Sequence, residues 1–438
     1  MFVGGGLLVA LLTGRLTPQL VPDSVSYLEY SFGSLEEICR SIRTPGYPMW
    51  LLSLTSTVGI KFVPAAQVII QATAVWWLFS ELRSWDMPLA QRLAAAIAVG
   101  VGCTASDQIR VISTDALAAS IGIFTATAVL RWARLDDRFG TLAPIVLTAT
   151  TAIFVRPAYL FLIPWLLIGG ALLRRVNGTS WRSAFGSSLQ ISLLLVVPVV
   201  GWMTLRYAVV NDFGILPFGH QNLAGVLVQL VSDEELEQLD PELGTAITEA
   251  KRRFDAEVGF APGAAGATMT IDARWDDMTY PIVVAAAKQT FGDDPVIYHR
   301  GIARLNGEII KRYPLRYATW LAKAARRGAW AIAADIVMHP LFLAAIGIGI
   351  LFVLRWAIGG CGSITLDQSD ALRALTIVAW TYLIAKVGFV ILTSPPIGRF
   401  SDAAAIFLPA WVAVVFLSLR SADSSSLGPT DGSADPRM

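Results

Sequence analysis

Several short polar stretches stand at the ends of apolar runs, and each holds a residue able to bind or move charge. "PDSVSYL" (22–28) carries Asp23 and Tyr27, "RTPGYP" (43–48) carries Arg43 and Tyr47, "ISTDAL" (112–117) carries Asp115, and "VRPAYLFLIP" (155–164) carries Arg156. A further stretch, "SPPIGRFSD", carries Arg399 and Asp402, and "SDQIRV" carries Asp107 and Arg110. Ionisable groups at the edge of a hydrocarbon layer are costly unless they are paired or used. An aspartate there can accept the proton of an attacking hydroxyl. An arginine can grip a phosphate through two parallel N–H donors. Acids and guanidiniums on one rim therefore suit a phosphate-bearing substrate and an acceptor that must lose a proton.

Structural uses compete for the same residues. Asp23 and Asp115 both stand where a helix start would use a capping acid. Tyr27 and Tyr47 are of the type that anchors a chain at a membrane interface. Arg43 could lay its stem along apolar surface and keep only its head wet, and Arg156 could serve carbonyls freed at the break before Pro157. His220, in "PFGHQN", could touch an acceptor, although a lone histidine is more often structural. Glu29 and Asp107 have the weakest case.

Strongly apolar elements must position these groups. The 438 residues are 55% hydrophobic and 15% charged, with mean hydropathy +0.58, whereas soluble domains carry about a quarter charged residues. That composition describes an all-α polytopic membrane protein. Apolar runs near 1–13, 64–82, 89–106, 111–132, 141–155, 158–173, 186–206, 335–356, 372–393 and 401–420 give about ten transmembrane helices, the first of them short. The net charge of +1 and the lack of basic clusters interleaved with aromatics leave no case for nucleic acid. Cys39, Cys103 and Cys361 are far apart and odd in number, which supports neither a disulfide framework nor a zinc site.

Lys and Arg in the short loops set the orientation. With both termini cytoplasmic, Arg83, Arg92, Arg131, Arg134, Arg174, Arg175 and Arg182 lie inside. The polar stretches with Asp23, Arg43, Asp115 and Arg156 then face the outer, periplasmic side of a multi-pass cell membrane protein. Asn177-Gly178-Thr179 falls inside and is expected to stay unglycosylated. The chain divides into a transmembrane module at 1–207 with a first outer loop at 14–63, an outer or interfacial, mainly helical segment at 208–334 that could form the acceptor region, C-terminal transmembrane helices at 335–420, and a disordered tail at 421–438. Nearly half of the 33 acids lie in 208–334. There "SDEELEQLDPELGTAITEAKRRFDAEV" opens on a helix start signal, and "YPLRYATWLAKAARRGAWAIAADI" is amphipathic and basic, as a helix lying on the membrane surface would be.

Taken in order and on one side, "PDSVSYL", "RTPGYP", "ISTDAL" and "VRPAYLFLIP" resemble the GT-C superfamily of polytopic glycosyltransferases. The likeness is greatest to the lipid-carrier-dependent group related to protein O-mannosyltransferases and the lipid A aminoarabinose transferase. It covers roughly residues 1–180 and returns loosely in "PPIGRFSDAAAIFLPAW". The resemblance implies an inverting enzyme that moves a sugar from a polyprenyl-phosphate donor to a glycan, lipid or protein acceptor, with membrane lipids around it. It places Asp23 at the family's first-loop catalytic aspartate and Asp115 at a second acid, which in some relatives helps hold the acceptor or a divalent metal such as Mg or Mn. Arg43, and less firmly Arg156 and Arg399, fall to the donor phosphate. Tyr27, Tyr47 and His220 are candidate substrate contacts from their own placement, since the family's second half varies with the acceptor and 208–334 inherits little from it. Ser24 departs from the family, many members of which have Glu after the aspartate. A transporter or lipid flippase is the competing reading from span count and the helix break at Pro157. A polysaccharide polymerase or ligase using a pyrophosphate carrier is another.

Overall fold

The computed structural model describes residues 2–101, 108–135, 139–258, 270–338, 364–366, 369–396 and 402–421, with a few isolated positions between 343 and 354. Five described helices are long and apolar enough to cross a membrane: Ile60–Arg83, Thr114–Arg134, Pro157–Val176, Trp181–Val210 and Asp370–Ile391. Four more are apolar but shorter, at Phe2–Leu12, Leu89–Gly100, Phe139–Val155 and Leu408–Ser418. Each lies within or across an expected apolar run. The expected span at 335–356 falls largely outside the described residues.

Residue size decides where each helix sits. Thr114–Arg134 reads "TDALAASIGIFTATAVLRWAR", rich in Ala, Gly, Ser and Thr, which let neighbouring backbones approach closely. It is the central helix, with 89% of its apolar window buried, and it packs against the Phe139–Val155, Val63–Arg83 and Leu162–Val176 helices. Trp181–Val210 is its opposite, with only 22% of its window buried. It exposes Phe185, Leu189, Leu193 and Val197, four residues apart and so on one stripe. A stripe of that kind suits lipid rather than water.

Pro157 makes the break that the site needs. The Phe139–Val155 helix stops before Arg156, which is extended at φ −147°, ψ 108°, the region a residue preceding proline prefers. A single tight turn, Pro157–Phe161, then restarts the helix at Leu162.

The chain between 208 and 334 is helical and carries a small core of its own, including Leu227, Leu236, Leu243, Ile282, Ile302 and Leu305. Its start signal is used as written: Ser232 Oγ accepts from the Glu235 N–H and Glu235 Oε2 accepts from the Ser232 N–H, at 3.2 and 2.9 Å. Pro241 divides the acidic stretch into the Asp233–Leu239 and Pro241–Val258 helices, with Asp240 Oδ1 capping the second through the Leu243 N–H. The amphipathic Pro314–Met338 helix packs on the Asp370–Ile391 helix; Tyr317 Oη donates to the Leu392 carbonyl at 2.8 Å.

One feature departs from the all-helical expectation. Ile364–Leu366 and Leu419–Ser421 form a short antiparallel pair. These residues enter the Asp370–Ile391 helix and leave the Leu408–Ser418 helix at the same end of the bundle, so their free backbone groups can satisfy one another.

Candidate functional site

The first loop is laid against "ISTDAL" by backbone bonds. The Gln19 N–H donates to the Arg110 carbonyl and the Ile112 N–H to the Gln19 carbonyl, at 2.7 and 3.0 Å, in a parallel bridge between Gln19 and Val111. Ser24 completes the clamp. Its buried hydroxyl donates to the Ile112 carbonyl at 2.8 Å and accepts from the Val21 N–H at 2.9 Å. Ser24 thus fastens the Pro22–Leu28 helix to the strand-like lead-in of the central helix. A glutamate could not donate that bond in its charged form.

Gly46 performs a similar service for "RTPGYP". A Cβ at that position would lie 2.6 Å from the Phe154 carbonyl carbon and 2.9 Å from the Val155 nitrogen. Only glycine lets the start of the Gly46–Thr57 helix approach the backbone that leads into Arg156.

Two aspartate–arginine pairs result. Arg43 Nη2 lies 2.9 Å from Asp23 Oδ1, and Arg43 Nε donates to Ser26 Oγ at 2.9 Å. The Arg43 guanidinium also lies 4.6 Å from the Tyr27 ring centroid, and Tyr27 meets Tyr47 edge-on at 4.9 Å. Tyr27 and Tyr47 are buried rather than interfacial, and Tyr47 Oη has no hydrogen-bond partner among the described residues. In the second pair Arg156 Nη1 contacts Asp115 Oδ1 and lies 3.2 Å from Thr114 Oγ1. Ser113 Oγ donates to the other Asp115 oxygen at 3.0 Å. The side chains are graded in exposure: Asp23 28%, Arg43 16%, Arg156 13% and Asp115 6%. Of the two carboxylates, Asp23 is the more exposed.

The end of the Trp181–Val210 helix and the 208–334 segment also hold the first loop. Arg206 is fully buried and donates to the Cys39 carbonyl at 2.9 Å and to Asp212 at 2.7 Å, while Arg40 pairs with Asp294. Phe218 comes within 5.5 Å of the Arg43 guanidinium, so this segment contributes directly to the wall beside Arg43. His220, two residues on, has no described contact with the aspartate–arginine pairs. It lies against His299 instead, ring centroids 4.8 Å apart. Burial lowers the pKa of His220. Burial first, then the proximity of His220 and Arg206, pushes His299 down to about 3.

Sequence reasoning passed over Lys386. It is 2% exposed within the Asp370–Ile391 helix, its Nζ is 3.4 Å from Tyr159 Oη and 4.5 Å from the Tyr159 ring centroid. A single cation in "TYLIAKVGFVI" is itself a functional signal in a membrane helix, hidden when the run is read only for its hydropathy. Arg399 and Asp107 lie outside the described residues.

The described residues do not gather a metal-binding set: no group of three or more His, Cys, Asp or Glu forms among them. Asp115, the one acid considered for that role, has its oxygens engaged by Arg156 and Ser113.

No family model matches the sequence, and no curated protein matches it. Among solved structures the chain is similar to ArnT from Cupriavidus metallidurans, crystallised bound to undecaprenyl phosphate. The two are 16% identical with a TM-score of 0.38, over 95% of this chain and 75% of that one. A likeness at that level carries no argument about function, which rests on the geometry above.

Proposed function

We propose that this chain is an inverting, GT-C-type glycosyltransferase of the cell membrane that takes its sugar from a polyprenyl-phosphate donor. One observation carries the reading: two aspartate–arginine pairs, drawn from four separate stretches, are brought to one end of a hydrophobic helical bundle, and one of the two carboxylates is markedly more exposed than the other. Asp23 is the base that takes the acceptor hydroxyl's proton. Arg43, fixed by Asp23, Ser26 and the Tyr27 ring, and Arg156, fixed by Asp115, supply positive charge to the donor phosphate. Asp115 acts through Arg156 and is a positioning residue. Tyr47, buried edge-on against Tyr27 with its hydroxyl unpaired among the described residues, is a candidate sugar contact.

The chemistry requires little more of the protein. Polyprenyl phosphate is already a competent leaving group, so positioning, a base and fixed charge suffice. The acceptor oxygen attacks the anomeric carbon from the face opposite the phosphate, the carbon–oxygen bond to phosphate breaks, and Asp23 holds the released proton.

The test is turnover in lipid nanodiscs with a panel of undecaprenyl-phosphate monosaccharides, reading release of undecaprenyl phosphate. Release that depends on Asp23 supports the reading. Wild-type protein that releases none, yet moves such lipids across proteoliposome membranes, would establish a flippase instead.

A further inference from the structure

Lys386 is a buried cation joined through Tyr159 to the part of the bundle that holds the Arg156–Asp115 pair. It lies five residues before the C-terminal end of the Asp370–Ile391 helix, about 7.5 Å along the axis at 1.5 Å per residue. That is the end on which the Pro314–Met338 helix packs. Its ammonium rests on Tyr159 and lies 5.8 Å from the Phe161 ring centroid. Tyr159 belongs to the single turn that follows Arg156, and its N–H donates to the Arg156 carbonyl at 2.9 Å. One rigid turn therefore links the lysine to the Arg156–Asp115 pair.

The central helix is shaped to admit this cluster. Gly122 is seven residues after Asp115 and so on the same helix face. A Cβ there would overlap Tyr382 Oη and fall 2.9 Å from Tyr159 Cε1. Asp115 and the Tyr159–Tyr382–Lys386 cluster thus share one face of one helix, the cluster deeper in the bundle.

We infer that Lys386 is the cation that receives the charge developing on the departing polyprenyl phosphate. This inference rests on the glycosyl-transfer reading and adds a residue to it. The donor is a phosphodiester with one negative charge. When the bond from the anomeric carbon to the phosphate oxygen breaks, its electron pair stays on that oxygen, and the product monoester approaches two negative charges at neutral pH. A cation that meets this oxygen stabilises the transition state and the product more than the donor. Lysine fits this role because a point charge on a flexible four-carbon stem can lift from the Tyr159 ring toward the phosphate. Tyr159 supplies the resting place, since a ring face and a hydroxyl both attract an ammonium.

The split between ground state and transition state is decisive. Lys386→Met should lower kcat by roughly 10²–10³-fold while changing donor KM by less than about threefold. It should weaken binding of undecaprenyl phosphate at least tenfold, without altering binding of uncharged undecaprenol. Lys386→Arg should recover part of the product affinity, and Tyr159→Phe should retain most of kcat. Lys386→Met or Lys386→Arg protein with unchanged kcat and unchanged undecaprenyl phosphate affinity would overturn the inference and leave glycosyl transfer standing. Wild-type protein that neither binds undecaprenyl phosphate nor releases it from a sugar donor would overturn both.

Discussion

The Arg43–Asp23 and Arg156–Asp115 pairs join residues 20 and 41 positions apart, with side-chain exposures between 6% and 28%. In the 208–334 segment, Glu249–Arg253 and Glu308–Lys311 join neighbours on one helix turn, and the members of these pairs are 46–75% exposed. Glu235–Arg316 is longer in range but still open, at 26% and 45%. Arg274–Asp255 is the pair among the described residues of that segment that is buried like the site pairs. Most charge in the segment is placed where water already solvates it, and it adds little to stability. Charge at the site end is partly desolvated, held by serine, threonine and aromatic neighbours, and drawn from separate elements. Under the proposed function that difference serves chemistry, and a buried ion pair is in any case weak evidence of stabilisation.

The largest expected effect would break the comparison outright. Asp23→Asn should cut transfer by roughly 10²–10⁴-fold, with insertion and size-exclusion behaviour unchanged; wild-type turnover in that variant would remove Asp23 as the base. Next, Arg156→Ala leaves Asp115 buried without its guanidinium and should destabilise the bundle by about 3–5 kcal/mol. The Asp115→Leu/Arg156→Met double variant should regain that stability in thermal unfolding without regaining activity. If the double variant were fully active, the pair would be structural only.

A smaller effect falls on the clamp. Ser24→Ala removes the hydroxyl that serves both Ile112 and Val21, and should cost about 1–3 kcal/mol, with faster hydrogen exchange across 19–28. Acidification should act on the 208–334 segment. His299, at about 3, and His220 both titrate below the usual histidine value of 6.5. The folded segment therefore binds fewer protons than the unfolded chain between those limits. Its stability is highest above pH 6.5 and falls as pH drops toward 3. Hydrogen exchange of 295–312 measures this, and His299→Phe should flatten the profile. The smallest effect belongs to Glu235→Gln. Arg316 holds the Glu235 carboxyl down at about 2, yet the pair is open to solvent. Its loss should move the melting temperature by no more than a degree or two and leave transfer intact.

Much of the architecture was legible from periodicity and composition alone. The apolar runs mark the helices, Pro157 marks the break that frees Arg156, and Ser232-Asp-Glu-Glu marks a helix start, because each signal acts within a few residues of itself. Asp23, Arg43, Asp115 and Arg156 could all be singled out as charged residues at the margins of apolar runs. Their pairing could not be read, since nothing local says which aspartate meets which arginine. Lys386 was obscured for a related reason: hydropathy averages over a window, and one cation barely dents it.

The sequence by itself determined that this is a hydrophobic helical chain with ionisable groups at the ends of its spans. Only the tertiary structure decided that Ser24 is a clamp, that Gly46 and Gly122 are points of close approach, that His220 turns to His299, and that Tyr159 carries Lys386. Those facts depend on distances between segments remote in sequence. Such distances are set by packing of the whole bundle, in which a missing Cβ or one hydroxyl determines how near two elements can come.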